Sequence, residues 1–555
     1  MPYLWSGAVA LIIAGPWLAP GYLFGTDWPG PRILHWPTQL SSSAPFEALL
    51  AAISTAVSAE ITAKILVLGS LFVAALAAYT ALPYGDFVPR AVASLIYVVN
   101  PFVYGRLHYG QLFLIAGYAV LPWVAQRIYR LLVVPTIWRG LSLAAGIVVV
   151  GILTLHLLLP LVLLLGVATI SSMLYRRFNL AYLVRLAAGL GVGGAVALLL
   201  SAYWLIPYAA GRTDESRAIA QFGARDLAAF GVVSDPSVGL ARNLLGLYGF
   251  WAENVHRFPS MKVFVPHWDL VVLCMLALAC IGALSVFVVR NESLRSLRWW
   301  VVALVIAGLI GLMLEAGVAE PRVAPFIRWL DAVFPPYRGM RDSGKWASLL
   351  AVVYAQLIPL AWIAIRDRLK SWRKWRVVRE TSLALTAGLA VALPLYYGNG
   401  LLFGMHRQIQ PSQYPAGWYA ADRAMSSDRG QGRALFLPWH QYLRLSFVRN
   451  VNSIIASPAP EFFSIPTLVS ADPEVPGIPA PDTPDQRTIQ SLVNAGSAGD
   501  WARGLALRDV RYVVVAKELD WQNYGYLDRQ AGLKKVADYG SIVLYLVEPI
   551  AVTRK

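Results

Sequence analysis

Residues 4–31 read LWSGAVALIIAGPWLAPGYLFGTDWPGP, a long apolar run that ends in a turn holding one acidic residue. A hydrocarbon core about 30 Å thick takes roughly 20 apolar residues as helix, so this run predicts a first membrane span over 4–22. No basic residue precedes it and no small-residue cleavage pattern follows, which predicts a retained helix and not a signal peptide. Asp27 then falls at the helix exit. Gly25 and Thr26 before it and Pro29-Gly30-Pro31 after it predict a fixed turn at interface depth.

The remainder of the chain repeats the apolar theme. Of 555 residues, 57% are hydrophobic and 14% charged, and the mean hydropathy is +0.55, which is too apolar for a water-soluble globule of this length. Eleven candidate spans follow, at approximately 4–22, 62–82, 90–105, 111–131, 140–155, 157–175, 184–208, 268–290, 299–317, 346–365 and 380–398. The fold class expected is therefore an α-helical polytopic membrane protein. The net charge of +16 argues against a nucleic-acid partner, because the Lys and Arg gather in short connections between apolar runs, where they report topology. Cys274 and Cys280 lie in one apolar run and offer neither a disulfide framework nor a zinc site of usual spacing.

Seventeen basic residues fall in short connections on one side of this map, at Arg90, Arg127 to Arg139, Arg176 to Arg185, Arg290 to Arg298 and Arg366 to Arg379, against Arg106 alone in the short connection 106–110. The positive-inside rule then places the N-terminus in the cytoplasm and the C-terminus outside, in a plasma-membrane protein. Three long segments, 23–61, 209–267 and 318–345, and a tail beyond residue 399 share the outer face. The chain divides into a membrane domain over 1–399 and an outer soluble domain over 400–555. In the first outer loop, Phe46, Leu49, Leu50, Ile53 and Val57 follow Ser41-Ser42-Ser43 and Pro45 with the spacing of a surface helix. The tail alternates strand-like runs (Ala434–Leu437, Arg511–Val515, Ile542–Val547) with helical stretches and a Pro-rich loop at 473–484, the pattern of a small α/β domain.

Scarcity narrows the candidates for chemistry. No acidic residue occurs between Asp86 and Asp214, so candidates for a general base next to the membrane on the outer face are few; they include Asp27, Glu47, Glu60, Asp214, Glu215, Asp226, Asp235, Glu253 and Asp269. A partly desolvated carboxylate at position 27 has a raised pKa, suited to taking a proton from a sugar hydroxyl; the same residue also suits a turn that caps local N–H groups. Arg338, Arg341 and Lys345 cluster in FPPYRGMRDSGKW (334–346), three cations that fit a lipid phosphate or, equally, snorkel among membrane-lipid headgroups. The hairpin NPFVYGRLHYGQLFLIAGYAVLPW (100–123) offers Arg106, His108 and Gln111 beside Tyr104 and Tyr109, a set for sugar binding or an aromatic belt. Gly189, Gly191, Gly193 and Gly194 sit inside an apolar span and predict close helix packing, not a nucleotide loop.

Taken together, the Asp after the first span, the surface helix, the NPFVYGRLHYGQ hairpin, the FPPYRGMRDSGKW loop and the tail segments ALFLPWHQY and VRYVVVAKELDW resemble polytopic glycosyltransferases of the GT-C superfamily. The likeness is to the N-terminal part of the mycobacterial arabinofuranosyltransferases of the D type and related uncharacterised membrane proteins. The resemblance implies a GT-C-like membrane domain, a catalytic acid in the first outer loop matched by Asp27, and a polyprenyl-phosphate-linked sugar as donor to an envelope glycan, glycolipid or glycoprotein acceptor. Soluble nucleotide sugars are absent outside the cell, which points to the same donor. No metal site is indicated, and a divalent cation is left open, one carboxylate being a thin ligand set. The competing expectations are a non-catalytic envelope assembly protein whose tail binds glycan or protein, and a lipid or polysaccharide transporter, the latter calling for mid-membrane charges that are nearly absent apart from Lys64 and Glu315.

Overall fold

The computed structural model of the chain describes residues 1–253, 255, 257–288, 292–370, 376–428, 430, 432–475 and 478–548. Arg290, positions 371–375 of the last basic connection, positions 476–477 of the Pro-rich loop and the Glu215 side chain lie outside the described residues. Among those described, eight helices are long and apolar enough to cross a membrane: Ala59–Ala81, Leu112–Val133, Leu155–Tyr175, Leu180–Ala209, Trp268–Val288, Arg298–Ala319, Ser343–Lys370 and Arg376–Tyr397. Phe87–Val98 and Pro101–Tyr109, bent by 40°, make a ninth if counted as one span. The two other stretches read as spans are helical but shorter, Pro2–Leu18 and Ile137–Leu153. Pro16 tightens the end of the first into a 3-10 turn, and extended backbone at Thr154 stops the second. The chain is a multi-pass membrane protein with a C-terminal sheet domain.

The bend at residue 100 has a local cause. The Asn100 side chain accepts the Val103 N–H at 3.1 Å and donates to the carbonyls of Ile96 and Tyr97 at 3.0 and 2.7 Å, while Pro101 takes the first helical position. Asn100 thus closes one helix and caps the next. Between Ile137–Leu153 and Leu180–Ala209 the contact is backbone to backbone: a Cβ on Gly140 would lie 2.0 Å from the Gly189 carbonyl oxygen, and one on Gly193 would lie 2.6 Å from that of Gly140. Gly189 and Gly193 of the glycine run form a helix-packing seam, whereas a Cβ on Gly191 or Gly194 would meet nothing within 4 Å.

The basic connections meet at one end of the helical part. Arg366 pairs with Asp86 at 2.9 Å, Arg176 donates to the Val133 carbonyl at 2.8 Å, and Arg90 donates to the carbonyls of Gly85 and Tyr79. The sheet domain adjoins the loop that carries Asp27. Its strands are β1 (Arg433–Leu437), β2 (Tyr442–Arg444), β3 (Ile454–Ala456), β4 (Thr467–Leu468), β5 (Val510–Ala516), β6 (Leu533–Asp538) and β7 (Ile542–Val547). The main sheet has the order β4-β1-β5-β7-β6, parallel among the first three and antiparallel beyond, and β2 and β3 form a separate hairpin. One face packs on Trp418, Phe436 and Phe462, and that same core takes in Phe24 from the first loop. The other face packs on Leu435, Trp501 and Val513.

Candidate active site

The Asp27 turn is held on two sides. On one, its N–H donates to the Tyr109 carbonyl at 2.7 Å, and Gly25 meets Gly110 so closely that a Cβ at position 25 would lie 2.6 Å from the Gly110 Cα. Gly110 itself has a φ of +76°, which closes the helix Pro101–Tyr109. On the other side, the β2–β3 hairpin of the tail takes hold of Thr26: Ala456 N–H donates to its carbonyl at 2.9 Å, its hydroxyl donates to the Ile454 carbonyl at 3.2 Å, and Asn452 Nδ2 donates to that hydroxyl at 2.7 Å. Tyr414 adds a hydroxyl bond to the Gly30 carbonyl at 2.8 Å, and Arg32 pairs with Asp422 at 2.6 Å.

A chain of polar contacts runs inward from Asp27. Gln111 Nε2 donates to Oδ2 of Asp27 at 3.2 Å, Arg106 Nη1 donates to Gln111 Oε1 at 2.9 Å, and Arg106 forms a buried ion pair with Asp342. Arg106 lies over the Phe250 ring at 4.0 Å, a desolvated setting in which the cation needs its carboxylate. Near this pair stands Glu315, fully buried, with neither carboxylate oxygen hydrogen-bonded among the described residues.

Asp27, Gln111, Lys345, His156 and Glu461 all line one cavity of about 800 Å³. Much of its wall is apolar, from Leu50, Phe113, Leu153, Leu155, Leu158, Trp204 and Leu205. Asp27 keeps access to solvent through this cavity while many protein atoms surround its carboxylate. The resulting desolvation raises its pKa to about 6, against the pull of the Gln111 hydrogen bond and of the Lys345 and Arg106 charges. Glu47 and Glu461 line the same cavity, and most other acids of the segments 23–61 and 209–267 are engaged elsewhere. Glu60, Asp214, Asp226, Asp235 and Asp269 have cationic partners in Lys64, Arg217, Arg341, Lys262 and Arg242, and Glu47 accepts the Ser43 hydroxyl at 2.5 Å. Glu253 is held near pKa 7 by burial, outside the cavity lining. Asp27 combines an unpaired carboxylate, a pKa near neutrality and a cavity large enough for a sugar, the requirements of a general base.

The three cations of 334–346 divide. Lys345 lines the cavity, and its ammonium has no hydrogen-bond or ion-pair partner among the described residues. Arg338 faces Asp331 at 3.7 Å, and Arg341 is bound to Asp226 at 3.1 Å with its guanidinium 3.8 Å from the Phe222 ring centroid. Neither lines the cavity. The hairpin residues divide as well. Gln111 and the Tyr109 carbonyl touch Asp27, whereas His108 stacks on Phe258 and meets Gln408, and the Tyr104 hydroxyl donates to the Pro259 carbonyl at 2.7 Å and lies 3.0 Å from Gln408 Oε1. His108 and Tyr104 are buried packing groups away from the cavity. Asp342 had no separate signal in the sequence beyond its place between Arg341 and Lys345. Among the described residues, no group of three or more His, Cys, Asp or Glu side chains is placed to hold a metal ion.

A solved structure of arabinofuranosyltransferase AftD from Mycobacteria, determined by single-particle cryo-electron microscopy, superposes on 99% of the chain with a TM-score of 0.60 at 16% sequence identity. This is the fold of AftD. Two structures of an AftD mutant, from separate particle classes, agree, with TM-scores of 0.57 and 0.55 at 17% and 16% identity over the same 99%. The chain spans about two fifths of the length of the AftD structures it matches, 40% to 41%. No protein-family model matches the sequence, and no curated protein does. At this identity the likeness to AftD establishes the fold, in agreement with the GT-C class that the sequence motifs resemble.

Proposed function

We propose that the chain is a membrane glycosyltransferase that moves a sugar from a polyprenyl-phosphate donor to a glycan, glycolipid or glycoprotein acceptor at the outer face of the membrane. The observation that carries this reading is the Asp27 carboxylate, without an ion-pair partner among the described residues, in a cavity that joins a largely apolar stretch of wall to the Lys345 ammonium. An isoprenoid chain fits against Leu155, Leu158 and Leu205, and its phosphate next to the Lys345 ammonium. As the acceptor hydroxyl attacks the anomeric carbon, Asp27 takes its proton, the bond from that carbon to the phosphate oxygen breaks, and Lys345 steadies the charge on the departing lipid phosphate. The residues that Asp27 contacts, Gln111 and the Tyr109 carbonyl, are fixed before the substrates arrive.

The grouping of the basic connections at the far end supports the orientation with the N-terminus in the cytoplasm and the tail outside. The name of AftD makes arabinofuranose the first sugar to test. Mass spectrometry of lipid that co-purifies with the protein is the experiment: a polyprenyl phosphate carrying a pentose is the expected finding. A preparation that holds only bulk phospholipid, and that turns over no polyprenyl-phosphate-linked sugar added to it, would remove the assignment.

A further inference from the structure

Glu461 belongs to the tail yet lines the cavity of Asp27. It sits in the short helical turn Ala459–Phe462, which the first loop grips through backbone: the N–H groups of Arg32 and Ile33 donate to the Glu461 carbonyl at 3.1 and 2.8 Å, and Arg32 Nη1 donates to the Phe462 carbonyl at 2.9 Å. His35, also in the lining, bonds the Pro460 carbonyl at 3.1 Å. The main chain at 461 is therefore tied down, while the side chain is not. Its Oε2 is buried without a hydrogen-bond partner, and no ion pair or hydrogen bond engages the carboxylate among the described residues. A carboxyl kept in that state inside a protein is costly unless something completes it.

We propose that Glu461 is a sugar-binding residue, its carboxyl oxygens accepting hydroxyl hydrogens of a pentose or hexose held in the cavity, so that the tail domain takes a direct part in substrate recognition. The inference rests on the glycosyltransferase reading given above. Three features favour a sugar over other occupants. Sugar hydroxyls are neutral donors, which a lone carboxyl can pair without a second cation. The neighbouring lining at Ser42, Ser43 and His35 is polar and rich in hydroxyl and ring nitrogen. The apolar wall and Lys345, by contrast, already suit the lipid and its phosphate. Burial holds the Glu461 pKa at about 7, so the group works as carboxylate or as carboxylic acid near neutrality, and either form bonds hydroxyls. The sugar concerned belongs either to the lipid-linked donor or to the acceptor end, and the two are separable by experiment.

The test uses the full chain in lipid nanodiscs, with the variants Glu461→Gln and Glu461→Leu and equilibrium binding of radiolabelled probes as readout. The probes are sugar-free polyprenyl phosphate, polyprenyl-phosphate-linked arabinofuranose and an octyl arabinofuranoside. Hydrogen bonds to a charged group account for about 10- to 100-fold in affinity. Glu461→Leu is expected to weaken one sugar-bearing probe by that factor, with Glu461→Gln intermediate, and to leave sugar-free polyprenyl phosphate unchanged. Loss confined to the lipid-linked sugar places Glu461 on the donor; loss confined to the octyl glycoside places it on the acceptor. Unaltered binding of both sugars overturns the proposal, and so does an equal loss of the sugar-free lipid, which marks a structural role. If the wild-type protein binds no polyprenyl phosphate at all, the glycosyltransferase reading falls first.

Discussion

Gln111 Nε2 donates to Oδ2 of Asp27 at 3.2 Å, and the same amide takes its orientation from Arg106, which donates to Gln111 Oε1 at 2.9 Å. The amide cannot flip without facing its NH2 toward a guanidinium. Arg106 in turn is fixed by Asp342. A residue of the loop before the helix Ala347–Lys370 thereby sets the direction of a hydrogen bond onto the proposed base, although it never touches it.

Replacing Gln111 by Leu removes the donor that stabilises the Asp27 carboxylate. Because that bond lowers the pKa, its loss moves the group upward from about 6 to about 7, one hydrogen bond to a charged group being worth that much. The pH–rate profile of transfer should show its acidic limb displaced to higher pH by about one unit, with the plateau rate less affected. An unmoved limb would separate Gln111 from the base.

The wild-type profile carries a prediction of its own. A base must be deprotonated to accept the acceptor hydroxyl's proton, so activity should be full above pH 7 and fall as pH drops through about 6, where burial places the Asp27 pKa. An ordinary exposed aspartate would keep its activity down to about pH 4. Initial rates measured with donor and acceptor both well below saturation, which report kcat/KM and hence the groups of the free protein, distinguish the two.

Arg106 and Asp342 form a pair that is almost wholly buried, with side-chain exposures of 1% and 7%. Arg106→Leu or Asp342→Leu alone leaves an uncompensated buried charge, and each should cost about 3–5 kcal/mol of stability. The double variant should recover most of the thermal stability, since a well-packed apolar pair replaces a buried ion pair at little cost. It should not recover transfer, because Gln111 has lost its anchor. Thermal unfolding followed alongside activity checks both halves.

Gly25→Ala places a methyl group 2.6 Å from the Gly110 Cα, a distance that cannot stand. The Asp27 turn must move away from the hairpin, and a displacement near 1 Å at a reacting group costs on the order of 100-fold in rate. Transfer should fall by about that factor while binding of polyprenyl phosphate, held elsewhere in the cavity, persists. A variant of normal activity would show that the glycine contact is not needed to place Asp27.

The helices and the position of the acid were legible from sequence because both depend on local pattern. Apolar runs of span length, Asn-Pro at 100–101 and the Gly-Pro turn after Asp27 each act within a few residues. The partition of the charged residues was not legible. Arg338, Arg341 and Lys345 look alike within eight positions, and only the fold brings Asp331 and Asp226 against the first two while leaving the third in the cavity. The sugar-binding set read from the 100–111 hairpin separates for the same reason. A helical turn puts Tyr104 and His108 on one face, toward Phe258 and Gln408, and turns Arg106 toward Asp342. Glu461 lies 434 positions from Asp27 in a segment with no motif, and nothing short of the docked tail brings it to the cavity.

The central claim is that Asp27 is the base of a glycosyl transfer, and the substitution Asp27→Asn tests it most directly. The amide keeps the size of the side chain and cannot accept the proton. Transfer from a polyprenyl-phosphate-linked sugar by the purified, reconstituted variant should drop by about 100- to 10,000-fold, the range for loss of a general base, while its thermal unfolding and its binding of polyprenyl phosphate match the wild type. Transfer at the wild-type rate by a folded Asp27→Asn protein would contradict the account.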